Sequence, residues 1–371
     1  HLLAHPATRF AYSDSDRISP AGERGQPFFK PAWNYDLFLA QNYLNHLTVI
    51  EAALLCEIGG WRSGYDGSQD YDLYLRLIET IDPGEISHIA GVLYHWRETP
   101  GSVSQQHLAN AVGAARKAIE DHLTRTGKAG SITAPPGAMI YNHVRWELPQ
   151  EPQRVSLILT GPLSHAMERL RHQGYEGDAS LSVDIQSWLP DEQDLPSFEQ
   201  AFAVSMQHDA ILLLSGSANA LPTAALKELV ARCLHEDAGC IAPKCADEAG
   251  HLLFQPPPPA GPAQLREARL ANEDGTGLAG RGAFARLLLH QEVETLSSPA
   301  LVFRPAHLEA CGFPGRQHRN IHAAMADFCT AVAARGYRNV WNGAVTLHFD
   351  TLLSEPGRGS AGYHDTHRQS S

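Results

Sequence analysis

Apolar residues recur along the chain in patterns that predict both helices and strands. Over residues 105–126 they return every three or four positions, which is the spacing of an amphipathic helix, and Gly127 is placed to end it. Short apolar runs at 155–159 and 209–214 predict buried strands, and a second helix follows over about 222–235. Strands that alternate with helices favour an α/β fold with a largely parallel sheet.

Changes in composition along the chain predict two domains and a tail. Residues 127–152 are rich in Gly, Pro and polar groups, which indicates a linker between a first domain at 1–126 and a second at 153–353. The prolines at 256–259 indicate a loop tip or polyproline turn, and the polar, Gly-rich residues 354–371 predict a flexible tail.

Overall composition narrows the classes of function. The chain has 371 residues, 43% hydrophobic and 19% charged, so it can bury a sizeable core and is neither disordered nor fibrous. A net charge of -12 argues against a protein that follows nucleic-acid phosphates. Six scattered cysteines without a CxxC pair indicate buried, reduced thiols. We expect no signal peptide and no membrane span, and hence a cytoplasmic protein.

An acidic motif lies near the start of the chain. The apolar residues at 10–12 predict a strand end that delivers Asp14 and Asp16 into a loop. Paired carboxylates suit Mg²⁺ or Mn²⁺, which prefer oxygen ligands and keep positions open for substrate phosphates. Taken alone, such a motif is more often a solvated turn, because Asp and Ser favour turns.

A second group of acids lies at residues 66–72. Asp66 and Gln69 have the spacing of a capping box, which would start a helix there and place Asp70 in its first turn. A carboxylate held ionised at a helix N-terminus can accept a proton from a substrate hydroxyl. The alternative is that Asp70 and Asp72 merely complement the helix dipole.

A third site follows at the predicted end of a strand, where His95 and Arg97 stand close together. A neutral imidazole can complete the coordination of a divalent metal, and a guanidinium suits phosphate oxygens. The alternative for His95 is a structural histidine with satisfied hydrogen bonds.

Several motifs follow one another in order over residues 10–104. They are Tyr12-Ser-Asp-Ser-Asp-Arg-Ile, Phe29-Lys-Pro-Ala-Trp-Asn, Asn42-Tyr-Leu-Asn-His, Gly59-Gly-Trp-Arg, Asp66-Gly-Ser-Gln-Asp-Tyr-Asp-Leu and Leu93-Tyr-His-Trp-Arg. Together they resemble the C-terminal half of the catalytic domain of family 2 inverting glycosyltransferases, which have the GT-A fold. The similarity is closest to bacterial enzymes that build O-antigen and related surface polysaccharides.

The resemblance implies a role for each candidate residue. Asp14 and Asp16 would bind the donor and an Mn²⁺ or Mg²⁺ ion, with Asp16 as the direct ligand and His95 completing the coordination. Asp70 would be the general base for the acceptor hydroxyl, and Arg97 would bind the donor diphosphate. The implied enzyme is a hexosyl- or rhamnosyl-type transferase. It would use a nucleotide-sugar and a glycan or lipid-linked glycan acceptor, in the cytoplasm or peripherally at the inner membrane.

The second half of the chain resembles the same fold, in the manner of tandem family members. Its residues 214–219 read Leu-Ser-Gly-Ser-Ala-Asn where the first domain has the acidic motif, so no carboxylate is expected there. Asp327 and His348 are interpreted as remnants of the base and of the late histidine. The second domain is therefore expected to be degenerate and non-catalytic.

The resemblance also implies that the first domain is partial, because GT-A domains normally carry roughly 90–100 further residues that hold the nucleoside. Little or no turnover is then expected from this chain alone. The alternative function is a non-catalytic carbohydrate-binding or scaffolding module. A metal-dependent phosphohydrolase is a third reading, although such enzymes usually need more acidic ligands than this sequence offers.

Overall fold

The computed structural model describes residues 1–97, 108–160, 170, 175, 178–188, 202–254, 283–312 and 321–350. Within these residues the predicted α/β fold is confirmed, with strands and helices gathered around two large sheets and one small sheet. The predicted polyproline turn and the predicted tail lie outside the described residues.

The first sheet is built around one long strand. Its strands are β1 (Phe10–Ile18), β2 (Arg24–Phe28), β3 (Thr48–Ile50) and β4 (Ile86–Arg97). β4 runs parallel to β1 along its full length, whereas β3 and β2 pair antiparallel with the beginning and the end of β1. The acidic motif therefore lies inside β1 and not in a loop, because β4 continues to pair with β1 past Asp16.

Four helices cover this sheet: α1 (Tyr35–Ala40), α2 (Ala52–Glu57), α3 (Gln69–Ile78) and α4 (Leu108–Arg125). Helix α3 begins at Gln69, with Ser68 and not Asp66 in the N-cap position, and it places Leu73 and Leu77 in the core. Helix α4 is the predicted amphipathic helix. It ends before Gly127, which adopts a left-handed conformation with a φ of 67°.

The predicted linker is more than a connection. It contains a two-stranded antiparallel sheet of β5 (Gly130–Thr133) and β6 (His143–Trp146). Val144 and Trp146 are buried and belong to the hydrophobic core of the first sheet. Their alternation with a solvated position is the pattern of a half-buried strand, which the Gly and Pro content of 127–152 conceals.

The described residues from 153 onwards form a second sheet with its helices. The elements are β7 (Gln153–Thr160), β8 (Leu181–Trp188), β9 (Ala210–Ser215), α5 (Thr223–Cys233), β10 (Ala238–Asp247), β11 (Gln291–Val293), β12 (Ala300–Phe303), α6 (Pro305–Cys311), α7 (Ile321–Ala333) and β13 (Arg338–Phe349). The seven strands lie in the order β11-β13-β10-β12-β9-β7-β8. Strands β7, β8 and β9 are parallel, as are β10 and β13, but β11 and β12 are antiparallel to their neighbours. The sheet is therefore mixed and not largely parallel.

Part of the first unit recurs in the second. We call the sheet of 10–97 with its helices the first unit, and the structure of 153–349 the second unit. In the first, β1 pairs antiparallel with β3 and parallel with β4. In the second, β10 pairs antiparallel with β12 and parallel with β13 in the same chain order. Strands β7, β8 and β9 precede this arrangement in the second unit only, as far as the described residues extend.

A buried ion pair joins the two units. The guanidinium of Arg232 on α5 donates from Nε to Asp36 Oδ1 at 3.0 Å and from a terminal nitrogen to Asp36 Oδ2 at 2.9 Å. Both side chains are almost completely buried. Burial alone would raise the Asp36 pKa, but the charges of Arg232 and Arg338 outweigh it and hold that pKa below its ordinary value.

Two expectations from composition can be compared with the fold. All six cysteines are free, and four of them are buried as expected, whereas Cys56 is exposed and Cys311 is partly exposed. Among the described residues, no helix has both the length and the apolar character required to cross a bilayer.

Candidate active site

The acidic motif and the late histidine meet across two parallel strands. Asp16 on β1 is the register partner of His95 on β4, and their Oδ1 and Nδ1 atoms lie 2.5 Å apart. Arg24 on β2 approaches from the other edge of β1, with two guanidinium nitrogens each 2.7 Å from Asp16 Oδ2. Although burial works to raise the pKa of Asp16, hydrogen bonds from His95 and Arg24 lower it below the ordinary value, so this carboxylate is ionised.

Asp14 is buried separately from this pair. Its Oδ1 atom accepts a hydrogen bond from the backbone N–H of Lys30 at 2.8 Å and lies 2.8 Å from His88 Nε2. Its Oδ2 atom is buried without a hydrogen-bond partner. Asp14 does not share a three-donor cluster with Asp16 and His95, because register shifts on both sides of Asp14 separate the two carboxylates.

Lys30 is a buried cation that sequence reasoning missed, although it stands in one of the family-like motifs. Its Nζ atom donates to the carbonyl oxygens of Leu44 and His46, at 3.0 and 2.9 Å. Burial lowers the pKa of Lys30 to about 7, and the charge of Asp14 opposes that effect. Through these bonds Lys30 holds the chain at His46 against the acidic strand.

Asp70 lies in the first turn of α3, as predicted, and is half-buried. Its Oδ1 atom accepts the Tyr71 backbone N–H at 2.8 Å. Burial raises the pKa of Asp70 above the ordinary value, against the lowering effect of that N–H and of the His46 charge. The His46 ring packs on Tyr94, with ring centroids 4.9 Å apart, and Tyr94 directly precedes His95. Asp70 thus interacts electrostatically with His46, which packs on Tyr94 of the strand that carries His95.

Asp72 has a structural role that distinguishes it from Asp70. It is completely buried, and it forms ion pairs with Arg62 and Arg76. Arg76 also donates to the carbonyls of Ile58 and Gly60, at 2.7 and 2.6 Å. These contacts fix the turn that precedes the exposed Trp61, so Asp72 is unavailable to a substrate while Asp70 is not.

Arg97 is exposed at the end of β4, opposite Ile18 of β1. Because side chains alternate along a strand, Arg97 points from the same face of β4 as His95, two residues earlier. Trp96 is exposed between them, 41% accessible, and the Arg17 guanidinium packs over its ring at 5.0 Å. Arg97 thus lies at the rim beside His95, where the sequence placed it.

The corresponding strands of the second unit lack these acids. His348 on β13 is exposed and is the register partner of Ala246 on β10, as His95 is of Asp16. The residue two positions before Ala246 is Lys244. The sequence analysis compared the acidic motif with residues 214–219, and the strand register corrects this to β10. Residues 214–219 instead form the end of β9 and the turn after it, where the backbone N–H of Asn219 donates to the His348 carbonyl oxygen at 2.8 Å. Asp327 lies exposed on α7.

Sequence reasoning also missed a buried cluster at the junction of the two units. His143 Nε2 of β6 lies 2.7 Å from Glu228 Oε1 of α5, and His290 Nε2 lies 4.0 Å from the same oxygen. Burial lowers the pKa of His290 to about 4. Within the described parts of the chain this is the one group of three His, Cys, Asp or Glu side chains whose donor atoms all lie within 4.8 Å of one another.

Comparison with known proteins gives two curated relatives of particular interest. No family model matches the chain. An uncharacterized protein, y4gI, of Sinorhizobium fredii is 30% identical over 379 residues, which cover 91% of this chain and 40% of the relative. The O-antigen biosynthesis protein RfbC of Myxococcus xanthus is 37% identical over 160 residues, or 43% of this chain and 12% of the relative. The chain thus spans less than half the length of either relative.

Solved structures show more distant similarity. A crystal structure of GalNAc-T7 with UDP, GalNAc and Mn²⁺ has a TM-score of 0.37 at 8% identity, over 59% of this chain and 47% of that one. The mannosyltransferase PcManGT of Pyrobaculum calidifontis, in complex with GDP-Man and Mn²⁺, has a TM-score of 0.37 at 14% identity, over 68% of each chain. S. aureus TarS 1-349 has a TM-score of 0.35 at 12% identity, over 53% and 60%.

Proposed function

We propose that this chain forms part of a metal-dependent inverting glycosyltransferase of the GT-A class and family 2 type. The observation that carries the proposal is the contact between Asp16 and His95. The charge of Asp70 in turn acts on His46, which packs on Tyr94 of the same strand as His95. A single-displacement sugar transfer requires a base on the acceptor side and positive charge beside the departing diphosphate. Asp70 would be that base, and the groups around Asp16 would provide the positive charge.

Asp16 and His95 are the residues that would hold the Mn²⁺ or Mg²⁺ ion. A carboxylate and an imidazole already in contact are donors that fit such an ion, whose remaining positions go to water and substrate phosphates. Asp14 fits less well as a direct ligand, because it is completely buried apart from the Asp16–His95 pair and its Oδ1 atom contacts Lys30 and His88, so it instead positions the strand. A bound ion would offset the charge of the departing nucleoside diphosphate, and Arg97 and Arg24 would add guanidinium groups beside it.

On the acceptor side Asp70 would take the proton from the attacking hydroxyl. Its pKa is raised by burial, which makes it a stronger base than an exposed aspartate. Trp61, with 62% of its surface exposed, follows the turn fixed by Asp72 and offers an apolar face for a pyranose ring.

The acceptor is proposed to be a glycan or lipid-linked glycan of a bacterial surface polysaccharide, and the donor sugar a hexose or rhamnose. The support is the relative in Myxococcus xanthus, which is named an O-antigen biosynthesis protein. Such acceptors are assembled at the inner membrane, so the chain would work in the cytoplasm, or peripherally at that membrane.

The second unit is proposed to be non-catalytic. Ala246 and Lys244 stand where the first unit has Asp16 and Asp14, so a metal and a diphosphate would meet a positive charge and no carboxylate. Asp327 and His348 are then remnants without a metal partner. This observation also favours a second candidate function for the second unit, namely carbohydrate binding or scaffolding.

The decisive experiment is calorimetric titration of UDP and GDP into the protein, with and without Mn²⁺. We expect metal-dependent binding of one nucleotide in the wild type. Asp16→Asn removes the charge of the proposed ligand and is expected to weaken that binding by about 10–100-fold or more. His95→Ala should weaken it to a similar extent.

A matched control is Glu23→Gln, which removes an exposed carboxylate from the turn between β1 and β2 and should leave binding unchanged. Because Asp16 is ion-paired with Arg24, the fold of each variant is checked by circular dichroism and thermal unfolding. Metal-dependent nucleotide binding that survives in folded Asp16→Asn and His95→Ala would contradict the proposed metal site.

A further inference from the structure

The buried cluster of His143, Glu228 and His290 at the junction of the two units is separate from the proposed active site. Its three residues come from β6, from α5 and from the residue just before β11. They are 8%, 9% and 5% exposed, respectively. A cluster this deeply buried is not accessible to a substrate. It can, however, link the three segments that contribute its residues.

The cluster contains a polar atom that protein contacts leave unsatisfied. His290 Nε2 is buried and has no hydrogen-bond partner, and it lies 4.0 Å from Glu228 Oε1, too far for a hydrogen bond. The two imidazole rings are 4.8 Å apart between centroids at 70° to each other. A buried donor or acceptor without a partner is costly, so the atom is expected to have a ligand.

We propose that His143, Glu228 and His290 bind a divalent transition-metal ion of the zinc type as a structural site between the units. Two imidazoles and one carboxylate form a set of ligands that zinc proteins use. Imidazole nitrogens favour such ions over Mg²⁺ and Ca²⁺, which prefer oxygen.

The spacing of the donor atoms fits a tetrahedral ion. Ligands bound at about 2.0–2.1 Å in a tetrahedron stand about 3.3 Å from one another. The two measured distances to Glu228 Oε1, 2.7 Å from His143 and 4.0 Å from His290, lie on either side of that value. Small side-chain adjustments would equalise them and give His290 Nε2 its missing partner.

Neighbouring groups are placed to orient the carboxylate. Asn342 on β13 donates to Glu228 Oε1 at 3.1 Å, and Arg145 Nε lies 3.7 Å from Glu228 Oε2. Outer contacts of this kind fix the direction of a metal-binding carboxylate. Arg232 follows Glu228 by one helical turn on α5, so the ion and the Asp36–Arg232 pair would lie along one joint.

The test uses the whole chain and zinc alone. After treatment with a chelator and dialysis, the wild type is expected to take up one Zn²⁺ per chain, measured by plasma mass spectrometry. Saturating Zn²⁺ should raise the midpoint of thermal unfolding by about 3–6 °C, because binding to the folded state alone is stabilising. Co²⁺ in the same site should give the visible absorption of a tetrahedral complex.

His290→Ala and the nearly isosteric Glu228→Gln should both lose the stoichiometric Zn²⁺ and the Co²⁺ absorption. The matched control is His307→Ala, which removes another buried histidine with an unpartnered nitrogen, on α6 and outside this cluster. His307→Ala should retain one Zn²⁺. Asp16→Asn should also retain it, a result that would distinguish this site from the proposed active site. A folded wild type that takes up no Zn²⁺, or variants that keep the Co²⁺ absorption, would overturn the proposal.

Discussion

Arg232→Met is expected to destabilise the folded protein by about 3–5 kcal/mol. This is the largest effect on stability that we predict for a single substitution. The substitution keeps most of the apolar length of the side chain but leaves Asp36 as an ionised group buried without its main partner. Asp36 is 2% exposed, so burial disfavours its charged form, and in the wild type the charge of Arg232 offsets that effect. In Arg232→Met this offset is lost. Urea unfolding followed by circular dichroism and tryptophan fluorescence measures the loss.

The double variant Asp36→Leu/Arg232→Met isolates the interaction. Replacing both buried charges by apolar groups removes the desolvation cost together with the attraction, so the double variant should be more stable than Arg232→Met alone. Arg335→Met, at an exposed position near the end of α7, is the matched control and should change stability by no more than about 0.5 kcal/mol. A loss below about 1 kcal/mol in Arg232→Met would show that the pair does not hold the joint together.

Only part of the candidate site could be predicted from local patterns. The residues after Asp66 place Asp70 in the first turn of a helix, because a residue's position along a helix is local information. The meeting of Asp16 and His95, 79 positions apart, was implied only by the family resemblance.

The different environments of Asp14 and Asp16 could not be predicted in the same way. A regular strand would present both carboxylates on one face, since they are two residues apart. Register shifts next to Asp14 break that regularity and turn its carboxylate towards Lys30 and His88. A bulge depends on the partner strand, so its position is invisible in the sequence of β1 alone.

The joint between the units escaped prediction because its members are far apart in sequence. Asp36 and Arg232 are separated by 196 positions, and each resembles an ordinary charge at a helix end. One signal was nevertheless present. Glu228 and Arg232 stand four residues apart on α5, so they share one face of that helix, and both are buried. Two charges on a buried helical face predict partners in another part of the fold.

In the transferase of which this chain is proposed to form part, Asp70→Asn is expected to lower the rate of sugar transfer by about 10²–10⁴-fold, because the amide cannot accept the proton of the acceptor hydroxyl. Nucleotide release from a panel of UDP- and GDP-sugars with glycan acceptors measures this rate. In the wild type, transfer should be present above the pKa of Asp70 and be lost as the pH falls through it. Since burial raises that pKa, the acidic limb of the profile should lie above the ordinary range of an aspartate.

Two further measurements distinguish a catalytic base from a structural carboxylate. Asp70→Asn removes a charge that burial disfavours, so its thermal midpoint should equal or exceed that of the wild type, and Mn²⁺-dependent nucleotide binding should persist. Asp66→Asn, an exposed change four residues earlier in the same segment, should leave transfer unchanged. If Asp70→Asn retained wild-type transfer, or lost transfer only together with folding, Asp70 would not be the base. The proton acceptor would then have to be sought among the other side chains of the first unit.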